Sequence, residues 1–138
     1  MFEKILVGTD GFGPASRAVE RAVELGKSSG AEVIVVHAYS EEAGDPIGGG
    51  PIASRITAAE GLLSDVEKHY AGGGVKMRTL ARSGAPAEVL VDVAEDEAVD
   101  LLVVGNKGMH QRFALGSVPN RVSHHAPCSV LIVHTVED

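Results

Sequence analysis

Three glycines, a serine and two cations stand close together in the segment Gly105-Asn106-Lys107-Gly108-Met109-His110-Gln111-Arg112-Phe113-Ala114-Leu115-Gly116-Ser117-Val118. Glycine lets a backbone approach a ligand without a Cβ in the way and opens positive φ. Gly116-Ser117 leads into a helical pattern supported by Pro119. The first amides of that helix and its dipole would favour an anion. The Ser117 hydroxyl would either touch a phosphate oxygen or cap the helix. Lys107 and Arg112 lie inside the segment and Arg121 follows, a local positive field in an acidic chain. Taken singly, each glycine makes only a turn. As a series at one strand-to-helix junction, they point to phosphate binding.

A second candidate is Asp10, at the end of an apolar run over residues 4–9. It would hydrogen-bond a ribose hydroxyl, hold a divalent cation, or cap the next helix. The chain has no Gly-x-x-x-x-Gly-Lys-Ser/Thr element, and its first turn is not Gly-x-Gly-x-x-Gly, which argues against a P-loop NTPase and against NAD. The six histidines do not assemble a metal site. His124 and His125 are adjacent on a helix and point about 100° apart, and no Cys/His spacing suits zinc. His37, at a strand end, would touch ligand or simply be packed and hydrogen-bonded, and His110 would reach a phosphate or stay solvated. Ser117 lacks a base and Asp10 alone activates water weakly, so no nucleophile–base–acid set emerges.

The elements that must position these residues alternate along the chain. Residues 4–9 form a short buried strand. Ala15, Ala18, Val19, Ala22, Val23 and Gly26 follow at helical spacing, with Pro14 as a first helical residue and Gly30 as the stop. Val33-Ile34-Val35-Val36 suits a strand buried on both faces. Residues 41–51, with four glycines and two prolines, read as a mobile loop. Ser54 would cap a second helix reaching about residue 71, its inner face formed by Ile56, Ala59, Leu62, Leu63, Val66 and Tyr70. Residues 75–82 alternate apolar and polar, as an edge strand does. A third helix begins near Pro86, and residues 100–105 form another buried strand. A short helix over Ser117–His125 and a last strand over Ser129–His134 complete the order.

Strict alternation predicts an open, five-stranded parallel sheet with helices on both faces. The three most apolar runs belong at its centre, which gives the order 3-2-1-4-5. The strand order then reverses between the first and fourth strands, where ligands bind in such sheets. Thr9-Asp10 and Gly105-Asn106-Lys107-Gly108 leave the sheet there, beside His37-Ala38. The last strand becomes an apolar edge, so a homodimer through Ser129–His134 is expected.

Composition narrows the partners. The 138 residues read as one domain, 1–138, with 44% hydrophobic content for a core. Twelve basic and nineteen acidic side chains give a net charge of −7, which disfavours nucleic acid and anionic membranes. The lone Cys128 cannot form an internal disulfide and sits beside an apolar run, as a buried filler would. With no apolar stretch of membrane-spanning length, a cytoplasmic location is expected.

Several segments together resemble the universal stress protein family: Ile5-Leu6-Val7-Gly8-Thr9-Asp10-Gly11, Val35-Val36-His37-Ala38, Gly84-Ala85-Pro86, Ala98-Val99-Asp100-Leu101-Leu102-Val103-Val104-Gly105, and His125-Ala126-Pro127-Cys128-Ser129-Val130-Leu131-Ile132-Val133. The resemblance implies a Rossmann-like, adenine nucleotide alpha hydrolase-like fold and ATP bound as ligand, with Mg²⁺ held through its phosphates. Carried across, Gly105, Gly108, Gly116 and Ser117 would line the phosphates, Asp10 would meet the ribose, and the Ala38 backbone would meet adenine. Thr9, Asn106, Lys107, Arg112 and Val118 complete the expected set. The family's ATP-binding signature places nine residues between its second and third glycines, whereas seven separate Gly108 from Gly116. The shorter loop would tighten the pocket, favour AMP or cyclic AMP, or weaken binding. The expected role is stress sensing or regulation without catalysis, at most slow ATP hydrolysis. Rival readings are a slow ATPase or phosphotransferase, a nucleotide-free interaction module, and a flavoprotein-like electron carrier.

Overall fold

In the computed structural model, which describes residues 2–9, 16–40, 52–106 and 115–134, strands and helices alternate without exception. They are β1 (Lys4–Gly8), α1 (Arg17–Ser29), β2 (Glu32–Tyr39), α2 (Ile52–Tyr70), β3 (Lys76–Ser83), α3 (Pro86–Asp96), β4 (Leu101–Asn106), α4 (Ser117–His125) and β5 (Ser129–His134). The strands form one sheet in the expected order β3-β2-β1-β4-β5, and every pair is parallel.

The side-chain period of two divides the core between the faces. Ile5 and Val7 of β1, Val33 and Val35 of β2, and Leu101 and Val103 of β4 pack with Val19 and Val23 of α1 and Leu63 and Val66 of α2. The intervening Leu6, Ile34, Val36, Leu102 and Val104 pack with Val89, Leu90 and Val93 of α3 and Val122 of α4. Each fully buried aliphatic side chain contributes roughly 1.5–3 kcal/mol, so this double set of aliphatic residues fixes β1, β2 and β4 at the centre. Helix α1 lies close on the sheet because Gly26 has no side chain: a Cβ there would stand 2.5 Å from Val33 Cγ2.

The differences from expectation lie at helix starts. Helix α1 begins at Arg17, capped by Ser16, whose hydroxyl accepts the Val19 N–H; Pro14 is outside the described residues. Helix α2 starts at Ile52, so Ser54 is an exposed residue within it rather than its cap. The glycine-rich stretch before α2 had suggested a later start, and Ile52 already takes helical form. Gly30, at φ 71°, closes α1 as read. Strand β3 is an edge, half-buried along most of its length.

Candidate functional site

The carboxyl ends of β1, β2 and β4 come together where the strand order reverses. The register pairs Gly8 with Val36 and Val7 with Val103. One and two steps on, Thr9 stands level with His37 and Gly105, one strand spacing of about 4.8 Å away on either side. The expected residues Thr9, Ala38, Gly105 and Asn106 therefore share one crevice. Asp10, Lys107, Gly108 and Arg112 lie outside the described residues, as do His110 and the expected loop over 41–51.

Thr9 closes the end of β1. Its N–H donates to the Val36 carbonyl at 2.9 Å, and its own carbonyl accepts from His37 Nδ1 at 3.0 Å. A carbonyl only accepts, so His37 carries its proton on Nδ1. His37 is thus the packed, hydrogen-bonded histidine, and it holds β1 against β2. The Thr9 side chain is different. It is 8% exposed, and among the described residues its Oγ1 is buried with no hydrogen-bond partner. Leaving such a hydroxyl unsatisfied costs about 1–3 kcal/mol.

Because β1 stops at Gly8 while β2 continues to Tyr39, β2 presents an open length of backbone. Val36 turns its carbonyl toward β1. Two residues on, Ala38 turns its N–H and C=O the same way, beyond the last residue of β1. The alternate residue, Tyr39, faces the other side, where its carbonyl accepts the Gly84 N–H at 2.9 Å. Ala38 therefore turns one donor and one acceptor toward the crevice, neither paired among the described residues.

Opposite, α4 begins at Gly116, which is its N-cap and supplies no side-chain cap. Ser117 is an exposed first helical residue, so the capping role considered for it falls to Gly116. The Gly116 N–H donates to Asn106 Oδ1 at 3.0 Å, tying the end of β4 to the start of α4. Gly116 has φ −64° and ψ 166°, open to any residue, and a Cβ there would meet only ordinary contacts at 3.5 Å or more. The fold of the described residues does not itself require a glycine here.

Arg121 places its guanidinium 3.5 Å from Glu88 in the first turn of α3, both side chains more than half exposed. A shallow cleft of about 360 Å³ between α3 and α4 is lined by these two residues with Ala87, Val91, Asp92 and His125 and includes none of the crevice residues. A cation the sequence reading missed is Arg55, 8% exposed, whose Nη1 donates to the Ser40 carbonyl at 2.9 Å just past β2. Its signal was its spacing, because Arg55 falls at i, i+4 and i+8 with buried Ala59 and Leu63, a charge on an apolar stripe. His124 Nδ1 pairs with the Asn120 carbonyl of its own helix at 2.8 Å. Burial pushes the Cys128 thiol up from its ordinary range, as for an inert, half-buried filler. Among the described residues no three His, Cys, Asp or Glu side chains are grouped to hold a metal. No described helix is long and apolar enough to cross a membrane.

Comparison with known proteins places this geometry among relatives. The model of the universal stress protein family matches residues 1–134. A universal stress protein of Mycobacterium tuberculosis, Rv1636, is 36% identical over 145 residues, covering 97% of each chain. A crystal structure of a universal stress protein in complex with cAMP superposes with a TM-score of 0.68 at 34% identity, covering 98% of both chains. The structure of the protein MJ0577 superposes with a TM-score of 0.76 at 27% identity, covering 100% of this chain and 99% of the other.

Proposed function

Because this chain belongs to the universal stress protein family, we propose that it binds an adenine nucleotide across the carboxyl ends of β1, β2 and β4. The observation that carries the reading is the orphaned Thr9 hydroxyl. It lies at the switch point of the sheet, where a ligand oxygen would supply the missing partner. The solved relative in complex with cAMP, 34% identical, supports adenine as the base. The Ala38 N–H and C=O suit adenine's ring-nitrogen acceptor and amino donor. The amides of Ser117 and Val118, at the start of α4, suit a phosphate. Asp10 would take the ribose, with Gly105, Gly108, Lys107 and Arg112 around the phosphates. The described residues offer no acidic cluster for Mg²⁺, so the ion would be held by the phosphates of a polyphosphate ligand.

The crevice binds and does not turn over its ligand. Its described groups are amides, hydroxyls and a histidine whose Nδ1 is committed to Thr9, none poised as a base beside a nucleophile. The protein acts as a cytoplasmic sensor or regulator that presents a changed surface when nucleotide is bound. Nucleic acid is not its partner, given the charge of −7. A second copy of the chain is. Strand β5 is a sheet edge that carries Leu131 at 37% exposed, an apolar edge suited to pairing with itself.

Calorimetric titration of the wild type and Gly116→Val with ATP, AMP and cyclic AMP, with and without Mg²⁺, tests the reading. Micromolar binding that is weakened in the variant is expected. Absence of binding by all three would make the protein a nucleotide-free interaction module. Phosphate release above background that disappears in Asp10→Ala would make it an enzyme.

A further inference from the structure

We propose that Arg55 is a positioning residue for base selection: by holding the exit of β2, it lets the Ala38 backbone discriminate adenine from a 6-oxopurine. The inference rests on the nucleotide reading above and adds to it a residue far from the glycine-bearing segment. Its basis is a cation buried on an apolar stripe. Arg55 is 8% exposed and lies in line along α2 with the buried Ala59 and Leu63. An apolar side chain of similar volume would pack there at least as well. The first turn of α2 holds no acidic residue, and the positive end of the helix dipole disfavours a cation in that turn. What the guanidinium does there is hold β2: its Nη1 donates to the Ser40 carbonyl at 2.9 Å.

That bond completes a frame around Ala38, whose neighbours are each tied to a different element. His37 Nδ1 donates to the Thr9 carbonyl at the end of β1. The Tyr39 carbonyl accepts the Gly84 N–H from the turn after β3. Ser40 is tied to α2 through Arg55. Ala38 lies between them, level with Arg82 of β3, and turns its N–H and C=O to the side where β1 has ended. A donor and an acceptor on one residue read a base only when their positions are fixed. Adenine brings a ring-nitrogen acceptor to the N–H and an amino donor to the carbonyl. Hypoxanthine carries an oxygen in place of that amino group, so the Ala38 carbonyl would face a second acceptor and neither would be paired. A strand end that can shift lets the two oxygens part and relaxes the choice. Arg55 thus acts on the base through Ser40 and the strand.

The test is calorimetric titration of the wild type, Arg55→Met and Arg55→Lys with AMP and with inosine monophosphate. The two ligands share ribose and phosphate, so contacts to those groups cancel in the ratio of their affinities. The wild type is expected to prefer AMP by about tenfold or more. Arg55→Met deletes the donors at similar volume and should bring that preference down to about threefold, mainly by losing AMP. Arg55→Lys keeps the charge without the planar fork and should fall between. A merely structural arginine would change stability in urea and leave the ratio unmoved. A ratio that stays at the wild-type value in folded Arg55→Met, or in Arg55→Lys should the methionine variant fail to fold, overturns the role of Arg55 and leaves the nucleotide site standing. So does a wild type that binds both ligands equally or prefers the inosine nucleotide. A wild type that binds neither overturns the nucleotide reading, and this inference with it.

Discussion

The two ends of the sheet treat their polar groups in opposite ways. At the amino end, several polar groups are answered from within the chain. Asp100 accepts the Glu3 and Lys4 N–H groups at 2.8 and 3.2 Å. Lys4 Nζ donates to the Glu97 carbonyl at 2.9 Å, and Arg78 joins Glu32 of β2 to Glu97 beyond α3. At the carboxyl end, Thr9 Oγ1 is buried without a partner among the described residues, Ala38 extends past the end of β1, and α4 begins with no side-chain cap. The same strands, with the same aliphatic core between them, are closed at one end and open at the other. Among the described residues two buried hydroxyls lack a partner, Thr9 at the switch point and Tyr70 at the end of α2. The first marks a place where the fold has kept capacity for something outside itself.

Substitutions at the two ends should therefore separate stability from binding. The largest effect is expected from Asp100→Ala, which strips the acceptor from two backbone amides. It should lower unfolding free energy by about 2 kcal/mol in urea titration and leave the nucleotide affinity of the folded protein unchanged. Gly116→Val comes next, with the reverse pattern. Its melting temperature should stay near that of the wild type, while calorimetry shows affinity reduced by about tenfold, roughly 1.4 kcal/mol. Thr9→Val removes the orphan hydroxyl at nearly constant shape. It should raise stability by about 1 kcal/mol and weaken nucleotide binding, a trade that a purely structural threonine would not show. The smallest effect is at Glu97. Its hydrogen bond to Arg78 holds the carboxyl below its ordinary value of 4.5, against a lesser opposing effect of desolvation. A depressed carboxyl stabilises the fold above its unfolded value and loses that contribution as pH falls through the folded one. Glu97→Gln should thus be slightly less stable than the wild type at neutral pH, and the two should converge in acid below about pH 4.5.

Where the chain is repetitive in its physics, it was legible in advance. The runs Ile5-Leu6-Val7 and Val33-Ile34-Val35-Val36 can satisfy both faces only inside a parallel sheet, and the alternating third strand can only be an edge. Strand order, switch point and crevice follow from those few residues. The start of α2 was not legible, because Ile52 follows a stretch whose glycines and prolines mask the first turn, and Ser54 imitates a cap. Within the site, the glycines announced a phosphate-binding segment. The orphan state of Thr9 and the engagement of Asn106 with Gly116 depend on pairings across the sheet and across ten residues, which no local pattern records. Nor does charge counted along the chain reveal that Arg121 stands 3.5 Å from Glu88 on the neighbouring α3.

The most direct test is a two-dimensional amide NMR titration of the uniformly labelled protein with AMP or cyclic AMP. The account predicts shifts at Thr9, Ala38, Gly105, Asn106 and the Gly116-Ser117-Val118 start of α4, with Lys4, Arg78 and Asp100 at the other end unmoved. A spectrum that does not change, or one whose changes gather at the amino end of the sheet or in the cleft between α3 and α4, would contradict it.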